Sequence, residues 1–147
     1  MNPLGRDLMY SVFRIQKALY RLVREDATRV GITELQLIIL YTLFKQENVR
    51  LNDLAEKLNM SNSTVSGTVD RLVSADLVMR ETSKEDRRAV TLYLTDKGRK
   101  KLKEAFNDEE SVLFRQLKRL TDVISKEELE HLISLHGTIR DILLGEE

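Results

Sequence analysis

Cysteine is absent from the 147 residues, aromatic side chains make up only 5%, and the formal net charge is zero. The lack of cysteine excludes disulfide frameworks, thiolate zinc sites and cysteine-based redox sensing. So few aromatics leave little on which unpaired bases could stack, which disfavours single-stranded nucleic acid as a partner. The longest apolar run, Leu37 to Tyr41, is far too short to span a bilayer. The opening MNPLGRDLMYSVF also lacks the basic-then-apolar pattern of a leader, so a cytosolic protein with no membrane partner is expected. Serine nucleophile elbows, phosphate loops and dinucleotide fingerprints are missing. His131 and His136 lie about 140° apart around a helix axis, so they share no face for a metal. Neither an enzyme nor a cofactor or metal is expected.

What is present fits one helix-rich domain spanning residues 1–147, with 41% hydrophobic and 33% charged residues. The balanced charge conceals a segregation. Residues 1–60 hold 9 basic and 7 acidic side chains, 61–103 hold 10 and 6, and 104–147 hold 5 and 11. A basic middle with an acidic far end is compatible with phosphate on one face, since local charge governs such binding.

Within that middle, Leu51, Leu54, Ala55 and Leu58 recur at i, i+3, i+4 and i+7, predicting a short helix that Asn52 caps. Asn59 tolerates the left-handed backbone of a helix stop, and Ser61 caps a second helix immediately after. Val65, Val69, Leu72 and Val73 form that helix's buried stripe, opposite Asn62, Ser63, Ser66, Gly67, Asp70 and Ser74. A merely solvated face more often carries Glu and Lys, which favour helix. Small polar residues instead let a backbone approach a surface closely, as when a helix-turn-helix enters the DNA major groove. On these residues alone, a plain helical hairpin stands equally well.

The following ribbon shifts the balance toward DNA. Val90, Leu92 and Leu94 alternate with Ala89, Thr91 and Tyr93, and Leu77 to Thr82 can pair with them across the loop SKEDRR. Lys84, Arg87 and Arg88 then sit at a basic tip suited to phosphates or to a narrow minor groove, where Asp86 could hold an Arg by a charge-assisted hydrogen bond.

Elsewhere, Leu8, Val12, Ile15, Leu19 and Leu22, broadened by Met9, Phe13, Tyr20 and Val23, predict a long first helix ending near Asp26. Its two apolar seams serve either the monomer's core or a partner subunit. Thr33 and Gln36 are spaced as a capping box for a nearly all-apolar helix, and Ser125 and Glu128 as another for the last helix. Thr95 caps a helix predicted to run on to Thr121, its first turns crowded by Lys97, Arg99, Lys100, Lys101 and Lys103. Cations there oppose the helix dipole, and either DNA phosphates or plain solvent could relieve them. The wide stripes of the first and last helices make a plausible dimer interface, which would present two recognition helices roughly 34 Å apart to an inverted repeat.

The run LNDLAEKLNMSNSTVSGTVDRLVSADLV, the wing SKEDRRAVTLYLTDKG and the terminal SKEELEHL together resemble the multiple-antibiotic-resistance regulator (MarR) family of bacterial transcription factors. The pattern Asp86, Arg88, Leu94, Thr95 and Gly98 is the most specific part of this likeness. The resemblance implies a mainly α, winged helix-turn-helix homodimer with a two-stranded β wing and long N- and C-terminal dimerisation helices. Residues 33–98 would be the DNA-binding region, with 1–30 and 99–147 given to dimerisation. It implies repression through double-stranded DNA. Ser61, Asn62, Ser63, Thr64, Ser66, Gly67 and Arg71 would lie along the major groove, with Lys84, Arg87 and Arg88 on the wing and Asp86 orienting Arg88. Many members release DNA on binding a small phenolic or anionic effector between the two regions. Phe13, Arg14 and Tyr20 could line such a pocket between the first, second and fifth helices, although at helical spacing such residues more often serve core or interface. The chain has no long Arg or Gln reader on the first turns of the second helix, so specificity leans on Asn62, the wing and DNA shape. The rival is a winged-helix protein-interaction module without DNA binding, which would have no need of so many phosphate-ready cations.

Overall fold

Three helix stops in this chain share one device. After Arg29, Lys57 and Ser74 the backbone turns left-handed at Gly31 (φ 78°), Asn59 (φ 50°) and Asp76 (φ 60°). The next amide then closes back onto the helix: Ile32 on Ala27 O (3.0 Å), Met60 on Ala55 O (3.0 Å) and Leu77 on Leu72 O (2.9 Å). Three sharp corners result. The computed structural model describes residues 2–46, 48–86 and 88–146. Its elements run α1 (Pro3–Arg29), α2 (Glu34–Lys45), β1 (Val49–Arg50), α3 (Leu51–Lys57), α4 (Asn62–Ser74), β2 (Val78–Thr82), β3 (Val90–Leu94), α5 (Asp96–Ala105), α6 (Val112–Val123) and α7 (Lys126–Leu144). Among the described residues no single helix is long and apolar enough to cross a membrane.

The chain divides between Leu113 and Phe114 into two units. In the first, the apolar α2 buries Leu37, Ile39, Leu40 and Leu43 against Val65, Val69 and Leu72 of α4, Leu92 of β3, and Leu102 and Ala105 of α5. Both hydrogen bonds of the Thr33–Gln36 capping box form, at 2.9 and 3.1 Å. The wing strands pair antiparallel from Val78 opposite Leu94 to Thr82 opposite Val90. Gly98 lets α5 press against this sheet, because a Cβ there would lie 2.1 Å from the Leu77 carbonyl oxygen. In the second unit the Ser125–Glu128 capping box starts α7.

The structure adds one strand and corrects three expectations. β1 adds a third strand on the far side of β3, with Val49 opposite Leu92 and Arg50 opposite Thr91. Asn52 is not the cap of α3. Pairing with β3 holds Arg50 extended, so the helix begins at Leu51 with Arg50 at its N-cap and no side-chain cap, and Asn52 already lies in the first turn. The helix starting after Thr95 does not reach Thr121. Asn107 Oδ1 accepts the amides of Glu109 (3.1 Å) and Glu110 (2.8 Å), which diverts the chain before α6. The first helix also runs to Arg29 rather than Asp26.

Asp26 has another task. Its buried carboxylate accepts the Ser111 hydroxyl (2.7 Å) and the amides of Val112 (2.9 Å) and Leu113 (3.2 Å), capping α6 from α1. Arg29 stands beside it at 3.4 Å and reaches the carbonyls of Ala105 (2.8 Å) and Glu104 (3.2 Å) and the Glu110 carboxylate (3.1 Å). Apolar seams remain uncovered. On α1, Leu8, Met9, Val12, Phe13, Ile15, Leu19 and Tyr20 are all exposed, and of the two seams only the end at Leu22 and Val23 is half-buried, Val23 against the core. Neither α6 nor α7 buries a residue, and Leu117, Leu120, Leu132, Ile133 and Leu135 face outward.

Candidate nucleic-acid interface

The exposed face of α4 begins at its cap. Ser61 Oγ accepts the Thr64 amide at 3.2 Å and lies 2.8 Å from Thr64 Oγ1 and 3.3 Å from Ser63 Oγ, a short chain of hydroxyls over the first turn. Asn62 and Arg71 are exposed with no side-chain hydrogen bond or ion pair among the described residues, and Ser66 is half-buried. Gly67 is the informative position. A Cβ there would meet nothing within 4 Å, so nothing inside this chain requires the missing side chain. Glycine in a helix interior costs about 1 kcal/mol relative to alanine. A close external approach is a use that would offset it.

The wing is tied to this helix. Arg80 of β2 forms an ion pair with Asp70 of α4, a link that sequence reading missed because a ten-residue separation across two element types has no periodic signature. At the tip, Ser83 Oγ accepts the amides of Glu85 (3.2 Å) and Asp86 (3.4 Å). Asp86 Oδ1 in turn accepts the Arg88 backbone amide at 2.9 Å. The Asp86 carboxylate thus shapes the backbone at Arg88 rather than gripping its guanidinium. Lys84 and Arg88 are exposed and make no ion pair among the described residues, and Arg87 lies outside the described residues. On the sheet, Tyr93 is held above its ordinary pKa, first by partial desolvation and then by the charge and hydrogen bond of Glu81.

The basic run on α5 is divided in its work. Lys97 Nζ donates to Ala75 O at the end of α4 (3.0 Å), and Lys101 Nζ to Val30 O at the end of α1 (3.1 Å). Both satisfy carbonyls that a helix end leaves open. Arg99, Lys100 and Lys103 stay exposed. No group of three or more His, Asp or Glu side chains able to hold a metal occurs among the described residues.

A cavity of about 470 Å³ opens beside the helix-turn-helix, lined by Tyr20 of α1, Glu34, Leu35 and Ile38 of α2, and Lys57 and Met60 near the turn. Tyr20 is part of its lining and Phe13 is not. Arg14 instead lines a separate groove with Tyr10 and Ile15 along α1, and α5 lines neither.

Residues 32–90 match the family model described as MarR family. The chain is 28% identical to the HTH-type transcriptional repressor MdtR of Bacillus subtilis (strain 168) over 121 residues, 82% of this chain and 78% of that protein. Among solved structures it is similar to the transcriptional repressor CouR bound to a 23-mer DNA duplex, with 28% identity, a TM-score of 0.74, and coverage of 95% of this chain and 96% of that one. It also shares the fold of Staphylococcus aureus MarR in complex with salicylate and kanamycin, at 23% identity and a TM-score of 0.79, covering 99% of this chain and 96% of that one.

Proposed function

The chain belongs to the MarR family, and from that premise we propose that it is a sequence-specific duplex-DNA-binding transcriptional regulator, a repressor, acting as a homodimer on an inverted-repeat operator. The observation that carries the reading is the face of α4, where Asn62, Ser63, Ser66 and Gly67 are small and polar and the helix keeps an unpacked glycine at its centre. In this reading Ser61 to Arg71 lie along the major groove. Asn62 reads adenine, the hydroxyls contact bases or phosphates, and Arg88 enters the minor groove on a tip shaped by Asp86. Lys84 and Arg87 meet backbone phosphates. The exposed seams of α1, α6 and α7 serve the dimer, and the cavity beside Tyr20 receives a small-molecule effector.

The test is binding of the purified protein to duplex DNA from its own promoter, against random duplex of equal length, across a salt series. Specific and steeply salt-dependent binding is expected. Asn62→Ala should weaken operator binding by about 1–3 kcal/mol with a smaller loss on random DNA. Arg88→Ala should weaken it as well. Folded dimer that binds neither duplex at low salt would overturn the proposal in favour of a protein-interaction module.

A further inference from the structure

The strand that sequence reading missed brings a further arginine, from outside the hairpin, to the wing. β1 pairs Arg50 with Thr91 at the start of β3, and a cleft of about 190 Å³ forms there, lined by Arg50, Asn52, Asp86, Arg88 and Val90 among others. Arg50 and Asn52 flank the first residue of α3 while Arg88 belongs to the wing; all three are exposed, and none makes a side-chain hydrogen bond or ion pair among the described residues. Arg50 has no evident structural duty. It occupies the N-cap position of α3 without a side-chain cap, and its pairing with Thr91 is through the backbone alone.

We propose that Arg50 and the Asn52 amide, with one edge of the Arg88 guanidinium as it enters the minor groove, form a clip for one phosphate of the duplex backbone beside the tip of the wing. The inference rests on the DNA-binding reading above. Charge supports it: two guanidiniums and the Asp86 carboxylate leave the cleft one positive charge in excess, which a singly charged phosphodiester neutralises. Guanidinium groups suit the ligand because their planar forks bond phosphate oxygens in pairs. Asp86 Oδ1 accepts the Arg88 backbone amide, and among the described residues its carboxylate forms no ion pair with either guanidinium. A phosphate held here would fix how far the wing enters the groove, so Arg50 sets the position of Arg88 without reading a base.

The experiment measures affinity for labelled operator and random duplexes by fluorescence anisotropy, from about 50 to 300 mM salt, a range over which a phosphate contact is resolved by its slope. It uses wild type, Arg50→Ala, Arg50→Gln, Arg88→Ala and the Arg50→Ala/Arg88→Ala double variant, all checked for folding by circular dichroism. A clip predicts that either Arg50 substitution weakens both duplexes by the same factor. It also lowers the slope of log K against log salt by about 0.9 per protomer, or about 1.8 per dimer. The double variant should lose less than the product of the two single losses on random duplex, because the two side chains share one phosphate. A wild-type slope in both Arg50 variants, a loss confined to operator, or independent effects of Arg50 and Arg88 would overturn the clip while leaving the regulator reading intact. Absence of salt-dependent duplex binding by wild type would overturn that reading and the clip together.

Discussion

Replacing Asp26 by alanine should destabilise the protein by about 3–5 kcal/mol, as breaking a buried charged contact typically does. The magnitude follows from what the carboxylate holds. It is fully buried and accepts three close donors, from Ser111 Oγ, Val112 N and Leu113 N, at 2.7, 2.9 and 3.2 Å. Each buried donor left without an acceptor costs about 1–3 kcal/mol, and loss of an N-cap alone about 0.5–2. These terms overlap because one group supplies them all, so they do not add. Arg29 moderates the loss. Its guanidinium keeps the Ala105 and Glu104 carbonyls and the Glu110 carboxylate, and so is not stranded when Asp26 goes.

Urea denaturation at fixed protein concentration reads the change, with the slope against denaturant compared to confirm that the same surface unfolds. Asp26→Asn keeps one acceptor oxygen but turns a donor toward donors, so a loss of about 2 kcal/mol is expected, against about 1 for Ser111→Ala. Hydrogen exchange supplies a local readout. The Val112 and Leu113 amides should exchange faster in Asp26→Ala than their neighbours do. A cost below about 1 kcal/mol for Asp26→Ala, with unchanged exchange at both amides, would refute the capping argument.

Two glycines should respond in opposite directions. Gly98→Ala places a Cβ against the Leu77 carbonyl oxygen and should cost about 3 kcal/mol in the same denaturation assay, as overpacking does; a stabilised variant would contradict the close approach of α5. Gly67→Ala meets open space and should stabilise the fold by up to about 1 kcal/mol through helix propensity while weakening operator binding; unchanged affinity would remove the argument from close approach. The Tyr93 phenol, isolated by difference spectroscopy against Tyr93→Phe, should titrate above its usual 10.0, because partial desolvation and Glu81 both disfavour phenolate. A folded pKa raised above the unfolded one means that this contribution to stability is complete below about pH 10 and fades as pH rises through the folded value. Glu81→Gln should lower the midpoint, and an unmoved midpoint would discount the carboxylate.

What could be read from the sequence was local. Asn59 announced its left-handed stop, and the paired residues Thr33–Gln36 and Ser125–Glu128 announced helix starts, because each device closes within four or five residues. The two strands of the wing followed from strict alternation over five residues, though not their register. The misses share a different cause. Two residues of β1 are too few to show a period, and their extended conformation depends on Leu92 and Thr91, some forty positions away. The apolar spacing from Leu102 to Leu113 fits a continuous helix, so nothing periodic marks the break at Asn107. The restart of the helix depends on a carboxylate eighty-five residues earlier.

The same distinction governs the candidate interface. Composition on one face of α4 was legible because a helix places residues three and four apart together. Which of the α5 cations remain available was not, since Lys97 and Lys101 are taken by carbonyls at the ends of α4 and α1, leaving Arg99, Lys100 and Lys103 outward. A basic run therefore overstates the charge available to phosphate when helix ends lie nearby. A single arginine such as Arg50, unremarkable in the sequence, gains a candidate role only when a short strand sets it beside Arg88. For a chain whose total charge is zero, placement of individual cations by the fold, rather than their number, decides where a polyanion can bind.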